Sequence, residues 1–273
     1  MRQSDALFCH TRDLSQIIQE VISQIRETHG EFTLLGVAAS NKPRPVEGSY
    51  MPCFLAGVCA ARSAAAMASV PVRLFSHQEG HIEAARFGAA ELGRSFDAKD
   101  FYAFHLSGGT TEFLKVRETG SGYRAEILAE ALDLTCGQLI DRCGVKLGLG
   151  FPAGKELECL AEKSQKRYRI RIPKKEGGIN LSGFENQFDK MLAKGEAKED
   201  LARFVFDVTE AAVSSLLEFR DGDAPVLFSG GVTSSHLLQN ALAQELHFFA
   251  PPAYTADNAI GTALLCRKGE CNG

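Results

Sequence analysis

The chain has 273 residues and a net charge of -4 at pH 7, with an isoelectric point near 6.0; it is long enough for one large domain or two lobes with buried cores. That charge excludes a general nucleic-acid binder, so any RNA contact has to use a local basic patch. Eight cysteines (Cys9, Cys53, Cys59, Cys136, Cys143, Cys159, Cys266, Cys271) stand without a CxxC pair or a compact framework, as reduced thiols of a cytosolic protein do. The start, Met1-Arg-Gln-Ser-Asp5, has no apolar signal region, and no apolar stretch reaches membrane-spanning length. The expectation is a soluble cytoplasmic protein without membrane association.

The elements read as α/β. Leu14, Ile17, Ile18, Val21, Ile22 and Ile25 make a helical stripe with Asp13 at its N-cap. A strand is predicted over Phe32 to Ala38, then a polar, proline-bearing loop from Ser40 to Ser49 and an Ala-rich helix from Pro52 to Ala68. The apolar run Val72 to Phe75 is a strand that empties into a helix opened by His77 and His81. Strands follow over Phe101 to Ser107, Glu112 to Val116 and Tyr123 to Leu128, with helices over Cys136 to Leu147 and Gly154 to Glu162. A long amphipathic helix spans Ala197 to Glu218; a strand over Pro225 to Phe228 leads into Ser229-Gly-Gly231 and a helix, a short strand covers His247 to Ala250, and a closing helix covers Asp257 to Cys266.

His77 and His81 carry the sharpest chemical signal. Residues at i and i+4 share one helical face, so both imidazoles can point at one metal ion. The same spacing serves in HExxH zinc proteases, but those need Glu directly after the first His, and here that position is Gln78. Glu79 is turned roughly 200° away from His77 around the helix. A pair of surface or capping histidines would show the same spacing.

Two strand-to-glycine turns, Phe104-His-Leu-Ser-Gly-Gly-Thr-Thr111 and Leu227-Phe-Ser-Gly-Gly-Val-Thr233, suit nucleotide binding. An apolar strand ending in Ser-Gly-Gly bends tightly and lets backbone N–H groups approach phosphate or ribose with no Cβ in the way. Neither turn matches the P-loop or the Rossmann fingerprint. Seven Lys or Arg residues lie between Lys163 and Lys175, with Tyr168 among them; they form either a solvated linker or a phosphate-contacting surface.

His77-x-x-x-His81, Ser107-Gly-Gly-Thr-Thr111, Gly137-Gln-x-x-Asp141 to Leu147-Gly-Leu-Gly-Phe-Pro-Ala-Gly154, Ser229-Gly-Gly-Val232 and Thr255-Ala-Asp-Asn-Ala259 occur in one order over nearly the whole chain. In order and spacing they resemble the TsaD (Gcp) family, the tRNA N6-adenosine threonylcarbamoyltransferases once described as O-sialoglycoprotein endopeptidases. The resemblance implies an actin/Hsp70/sugar-kinase type fold of two lobes with mixed sheets flanked by helices, closing on a nucleotide. On this chain it implies a first lobe at 1–100 completed by a C-terminal helix at 255–273, and a second lobe at 101–254. It also implies one divalent metal ion, iron or zinc, an ATP- or AMP-type nucleotide ligand, and transfer of threonylcarbamoyl from threonylcarbamoyl-AMP to N6 of the adenosine beside the tRNA anticodon.

By the same resemblance His77, His81 and Asp257 are the metal ligands, with His105 a candidate fourth. Two imidazoles and a carboxylate leave coordination positions open, as a catalytic metal site requires. Leu106, Ser107, Gly108, Gly109 and Thr110 correspond to the segment that holds the nucleotide phosphates, Asp141 to the ribose ligand, Gly154 to the backbone beside it, and Gly230 and Gly231 to the adenosine-side turn. The family has Glu where Gln138 stands and Asn where Ser235 stands, both at nucleotide contacts. Family members also begin with a strand–turn–strand that this chain starts after, which leaves a sheet edge and apolar surface in the first lobe. Partners implied are tRNA and a paralogous subunit docked through helices of the first lobe, with the Leu14 to Ile25 helix and the Ala-rich helix near Ala60 to Ala68 as the candidate surface, or a homodimer through that same apolar face. A non-catalytic nucleotide-binding paralogue and a metalloendopeptidase are the alternative functions.

Overall fold

The computed structural model describes residues 3–255 and 258–268. In chain order the elements are α1 (Gln3–His29), β1 (Val37–Lys42), α2 (Phe54–Ala68), β2 (Val72–Ser76), α3 (His77–Glu91), β3 (Asp100–Leu106), β4 (Thr111–Glu118), β5 (Tyr123–Ala131), α4 (Cys136–Lys146) and α5 (Gly154–Ala161). The short strands β6 (Lys174–Lys175) and β7 (Gly178–Ile179) follow, then α6 (Ser182–Ala193), α7 (Lys198–Leu217), β8 (Val226–Ser229), a 3-10 turn (Gly231–Ser234), α8 (His236–Leu242), β9 (His247–Phe249), α9 (Pro252–Thr255) and α10 (Ala259–Lys268). These residues fall into two compact units: 3–84, 119–124 and 258–268 in the first, 85–118 and 125–255 in the second.

In the first unit β1 and β2 pair in parallel, with Val37 opposite Val72 and a shift of register between Ser40 and Lys42. The helix α3 begins where Ser76 and Glu79 cap each other. The Glu79 amide donates to Ser76 Oγ at 3.2 Å, and Glu79 Oε2 accepts from the Ser76 amide at 2.7 Å. This reciprocal pair is the Ser-x-x-Glu box that satisfies two orphan donors of a first helical turn. Helices α3 and α10 touch backbone to backbone: a Cβ on Gly261 would lie 1.8 Å from the Gly80 carbonyl oxygen. Only glycine at 261 permits that approach.

The second unit holds most of a seven-stranded mixed sheet ordered β6-β7-β5-β4-β3-β8-β9. β3 pairs antiparallel with β4 and parallel with β8, and β8 pairs parallel with β9. One aromatic row crosses four of these strands in register. Phe113 stacks on Phe104 at 4.6 Å between centroids, Phe104 on Phe228 at 5.1 Å and Phe228 on Phe249 at 4.3 Å. Such offset stacks add to area burial and pin strand register. α7 is buried along most of its length, from Leu201 to Leu216, and α4, α5 and α6 pack against it.

The structure shifts several expected boundaries. α1 begins at Gln3, so Asp13 lies inside the helix, paired with Arg12 at 2.5 Å, and caps nothing. The first strand is Val37–Lys42; parallel pairing with β2 draws Ser40 to Lys42 out of the expected loop, while Phe32 and Leu35 stay exposed. α6 has no counterpart among the elements expected from sequence: Leu181 at its N-cap supplies no side-chain bond, so the local start signal is missing. No helix among the described residues is long and apolar enough to cross a membrane.

Candidate functional site

His77 and His81 converge as the i, i+4 spacing predicts. Their Nε2 atoms lie 3.1 Å apart and the rings meet edge to face. With metal–nitrogen bonds of about 2.0–2.1 Å, two nitrogens at that separation subtend about 100° at a shared ion, between the octahedral and tetrahedral angles. The donor pair therefore fits a divalent cation. His81 is buried and His77 half-buried, and burial holds the His77 imidazole below its ordinary pKa. A lowered pKa favours the neutral ring that a metal needs. Among the described residues no group of three His, Cys, Asp or Glu side chains could hold a metal. Asp257, the expected third ligand, lies outside the described residues, but its neighbour Asn258 donates to the His77 carbonyl at 2.5 Å.

Glu79 is committed elsewhere. Besides capping α3, its Oε1 accepts from the Tyr123 amide at 3.1 Å. One helical turn further on, Glu83 accepts from the Tyr123 hydroxyl and from Lys268 Nζ. Neither carboxylate is placed as the general base that a metalloendopeptidase requires.

In the second unit the two Ser-Gly-Gly turns stand side by side. β3 and β8 run parallel with His105 opposite Ser229, so the turn 107–110 and the turn 229–231 leave the same end of the sheet. A crevice at the carboxyl ends of parallel strands is the usual ligand position in open α/β sheets. Ser229 Oγ donates to the Phe104 carbonyl at 2.7 Å, and Gly230, at φ +93°, packs so that a Cβ would lie 2.3 Å from the Leu106 carbonyl oxygen. The N-terminus of α4 closes on the first turn. Thr135 Oγ1 donates to the Gly108 carbonyl at 3.0 Å, the Cys136 amide donates to Thr111 Oγ1 at 2.9 Å, and a Cβ at Gly137 would lie 2.4 Å from the Ser107 carbonyl oxygen. By contrast Gly108, Gly109 and Gly231 have open space at the Cβ position and no positive φ. Among the described residues nothing requires glycine at those three sites.

Asp141, on α4, accepts from the Ala153 amide at 2.8 Å and so fixes the residue before Gly154, which opens α5. Gln138 and Ser235, the two departures from the family pattern, are both helix-capping residues. Thr135 and Gln138 form a capping box on α4; Ser235 caps α8 through the Leu238 amide and donates to Glu158 Oε1 at 2.7 Å. His105 sits half-buried on β3 between Glu112 and Ser229, in the second unit, whereas His77 and His81 belong to the first. The capping boxes Ser76-x-x-Glu79 and Thr135-x-x-Gln138 are motifs legible in the sequence that a reading for chemistry alone misses.

The basic segment 163–175 is a strap along α7. Lys166 pairs with Asp200 at 2.8 Å, Arg167 with buried Asp207 at 2.9 Å, and Lys174 with Glu218. Tyr168, Ile170 and Ile172 turn toward the core. Arg169 and Arg171 alternate with them on the exposed side, and among the described residues neither they nor Lys163 carries an ion pair.

A family model described as "TsaD: tRNA N6-adenosine threonylcarbamoyltransferase" matches residues 5–264. The chain belongs to the TsaD family. A tRNA N6-adenosine threonylcarbamoyltransferase of Methanopyrus kandleri is 26% identical over 90% of the chain, and one of Enterococcus faecalis is 30% identical over 85%. The chain spans 68% and 66% of their lengths. A probable bifunctional tRNA threonylcarbamoyladenosine biosynthesis protein of Methanothermobacter thermautotrophicus is 30% identical over 76% of the chain, which spans 38% of it. Among solved structures, HypF of T. kodakarensis superposes with a TM-score of 0.65 at 14% identity, covering 96% of this chain and 43% of that one. The TsaD-family fold seen here is thus of the actin/Hsp70/sugar-kinase class, α/β with a mixed sheet flanked by helices.

Proposed function

We propose that this TsaD-family chain acts in tRNA threonylcarbamoyladenosine synthesis, binding an adenylate at the paired glycine turns and a divalent metal, iron or zinc, at His77, His81 and Asp257. The observation that carries the reading is the trio Gly108, Gly109 and Gly231, which the packing of the described residues does not require to be glycine. The backbone N–H groups of Gly108 and Gly231 are open to a phosphate or a ribose, while that of Gly109 donates to Ser107 Oγ at 3.3 Å. Leu106 to Thr110 would take the phosphate side, Gly230 and Gly231 the adenosine side, and Asp141 with Gly154 the ribose.

The reaction joins N6 of the target adenosine to the carbamoyl carbon, breaks that carbon's bond to the phosphate oxygen, releases AMP and frees one N6 proton. Bound metal supplies charge neutralisation and polarisation of the carbamoyl group. The chain's own contribution is placement: fixed amides at the phosphate and a rigid turn docked on α4. An exocyclic adenine amine is a weak nucleophile, so placement matters more here than acid–base help.

For partners, we propose tRNA and a paralogous subunit or second copy docked on α1 and α2. Ile17, Val21 and Leu55 are about half exposed there. A tRNA substrate supports a cytoplasmic location as part of the same proposal. Calorimetric titration with AMP or ATP tests the nucleotide half. Asp141→Ala should weaken binding by about 1.5–3 kcal/mol if its carboxylate holds the ribose, and equal affinity removes Asp141 from the site.

A further inference from the structure

Helix α3 carries two i, i+4 pairs on different faces. His77 and His81 form one; Glu79 and Glu83, turned about 200° around the helix from them, form the other, and both carboxylates are buried. Buried carboxylates have to be hydrogen-bonded, and these two meet the turn between β4 and β5. Residues 119–124, which make that turn, group with the first unit. The Thr119 amide closes it on the Gly122 carbonyl at 2.8 Å, and the Gly122 amide donates to Thr119 Oγ1 at 3.1 Å.

Glu79 uses both of its oxygens. Oε1 accepts from the Tyr123 amide at 3.1 Å, and Oε2 accepts from the Ser76 amide and hydroxyl, both at 2.7 Å. All three partners donate, which an acceptor-only carboxylate satisfies and a carboxamide cannot. A cap needs only the Ser76 side, as Gln138 shows on α4; the bond to Tyr123 goes beyond capping. A Cβ on Gly122 would lie 2.4 Å from Glu79 Oε1, and a carboxylate bonded at both oxygens is not free to swing aside. One helical turn on, Glu83 docks on the Tyr123 hydroxyl and on Lys268 Nζ.

His77 is the first residue of α3, where amides lack intrahelical partners and the turn frays unless it is capped. Its separation from His81 therefore holds only while that first turn stays wound. We propose that Glu79 is a positioning residue for the histidine pair: it ties the first turn of α3 to Ser76 and to the β4–β5 turn, and so keeps His77 one helical turn from His81. The inference rests on the metal reading above for its purpose, but the clamp consists of hydrogen bonds that need no metal.

The test compares the wild-type chain with Glu79→Ala, Glu79→Gln, Gly122→Ala, Asp133→Ala and His77→Ala/His81→Ala. Amide hydrogen exchange and the nuclear Overhauser effect between the two imidazoles are read by NMR on metal-free protein, and Zn2+ affinity by chelator competition. In Glu79→Ala the Ser76 and Tyr123 amides should exchange about 3–10-fold faster. The ring-to-ring effect should fade, and Zn2+ should bind at least about tenfold more weakly. Glu79→Gln should keep Ser76 protected, release Tyr123 and fall between wild type and Glu79→Ala in Zn2+ affinity. Gly122→Ala, whose new methyl meets Glu79 from outside the helix, should release Tyr123 and weaken Zn2+ in the same direction. Asp133→Ala removes a helix cap in the second unit and should leave all three readouts as in the wild type, which separates positioning from loss of stability. Unchanged ring-to-ring effect and Zn2+ affinity in a folded Glu79→Ala, or in Gly122→Ala if Glu79→Ala does not fold, overturns the proposal. If wild type and His77→Ala/His81→Ala bind Zn2+ equally while the ring-to-ring effect still follows Glu79, the clamp stands and the metal reading alone falls.

Discussion

Gly137 and Ser107 approach so closely that no side chain fits between them: a Cβ on residue 137 would meet the Ser107 carbonyl oxygen at 2.4 Å. The first turn of α4 is thereby pressed onto the Ser-Gly-Gly turn, and Gly108 beyond it stays open.

Gly137→Ala and Gly108→Ala should separate folding from binding. Alanine at 137 has to displace backbone, an overpacking cost of about 1–3 kcal/mol, and should lower both the melting temperature and AMP affinity. Alanine at 108 meets open space and should leave the melting temperature within about 1–2 °C while weakening AMP binding, because the new methyl occupies the ligand's approach. Thermal unfolding and calorimetry on both variants check this, and full AMP affinity in Gly108→Ala would place the phosphate elsewhere.

Capping should survive reversal of the two departures from the family pattern. Gln138→Glu keeps the capping box with Thr135, and Ser235→Asn keeps a good N-cap on α8. Each should shift stability by less than about 0.5 kcal/mol in urea unfolding. A rise in AMP affinity of about tenfold or more in either variant would show that the position touches nucleotide directly.

Much of this is legible in the chain because the signals are local. An i, i+4 pair such as His77 and His81 needs only a helix, and Ser107-Gly-Gly109 needs only a strand before it. What stays hidden depends on distant partners. α6 is capped from 48 residues away by Asp133, whose Oδ1 accepts from the Leu181 amide at 2.7 Å. The basic strap looks uniform in sequence, yet acidic residues on α7 divide it into paired and unpaired charges. β1 likewise takes its position from pairing with β2 rather than from the apolar run Phe32 to Ala38.

Asp133 gives a pH dependence with a definite sign. Burial alone would raise its carboxyl, but hydrogen bonds from the Ser182 hydroxyl and from the Leu181, Ser182 and Leu134 amides together hold it below the usual carboxylate range. A folded pKa below the unfolded value of about 3.9 stabilises above that value, and the stabilisation is lost as pH falls through the folded pKa. Asp133→Ala should cost about 0.5–2 kcal/mol at pH 7, as loss of a helix cap does, and should flatten the fall in stability below about pH 4. Parallel acid profiles for the two proteins would remove Asp133 from the account.

Arg169→Gln/Arg171→Gln should weaken tRNA binding and lower its dependence on salt. Removing one neutralised phosphate reduces the slope of log K against log salt by about one. Lys166→Gln, which breaks a pair with Asp200, should leave that slope unchanged. An identical slope in the double variant would make the strap purely structural.

The central claim is threonylcarbamoyl transfer, and nucleoside mass spectrometry tests it most directly. Unmodified tRNA is incubated with threonylcarbamoyl-AMP, divalent metal, the purified chain and its paralogous subunit, then digested. The account predicts threonylcarbamoyladenosine with the wild-type chain and its loss, by at least about 100-fold, in His77→Ala/His81→Ala, since removing the metal's ligands removes its stabilisation of transition-state charge. Wild-type chain that binds AMP and its partner yet forms no modified nucleoside would contradict the account and leave a nucleotide-binding scaffold in its place.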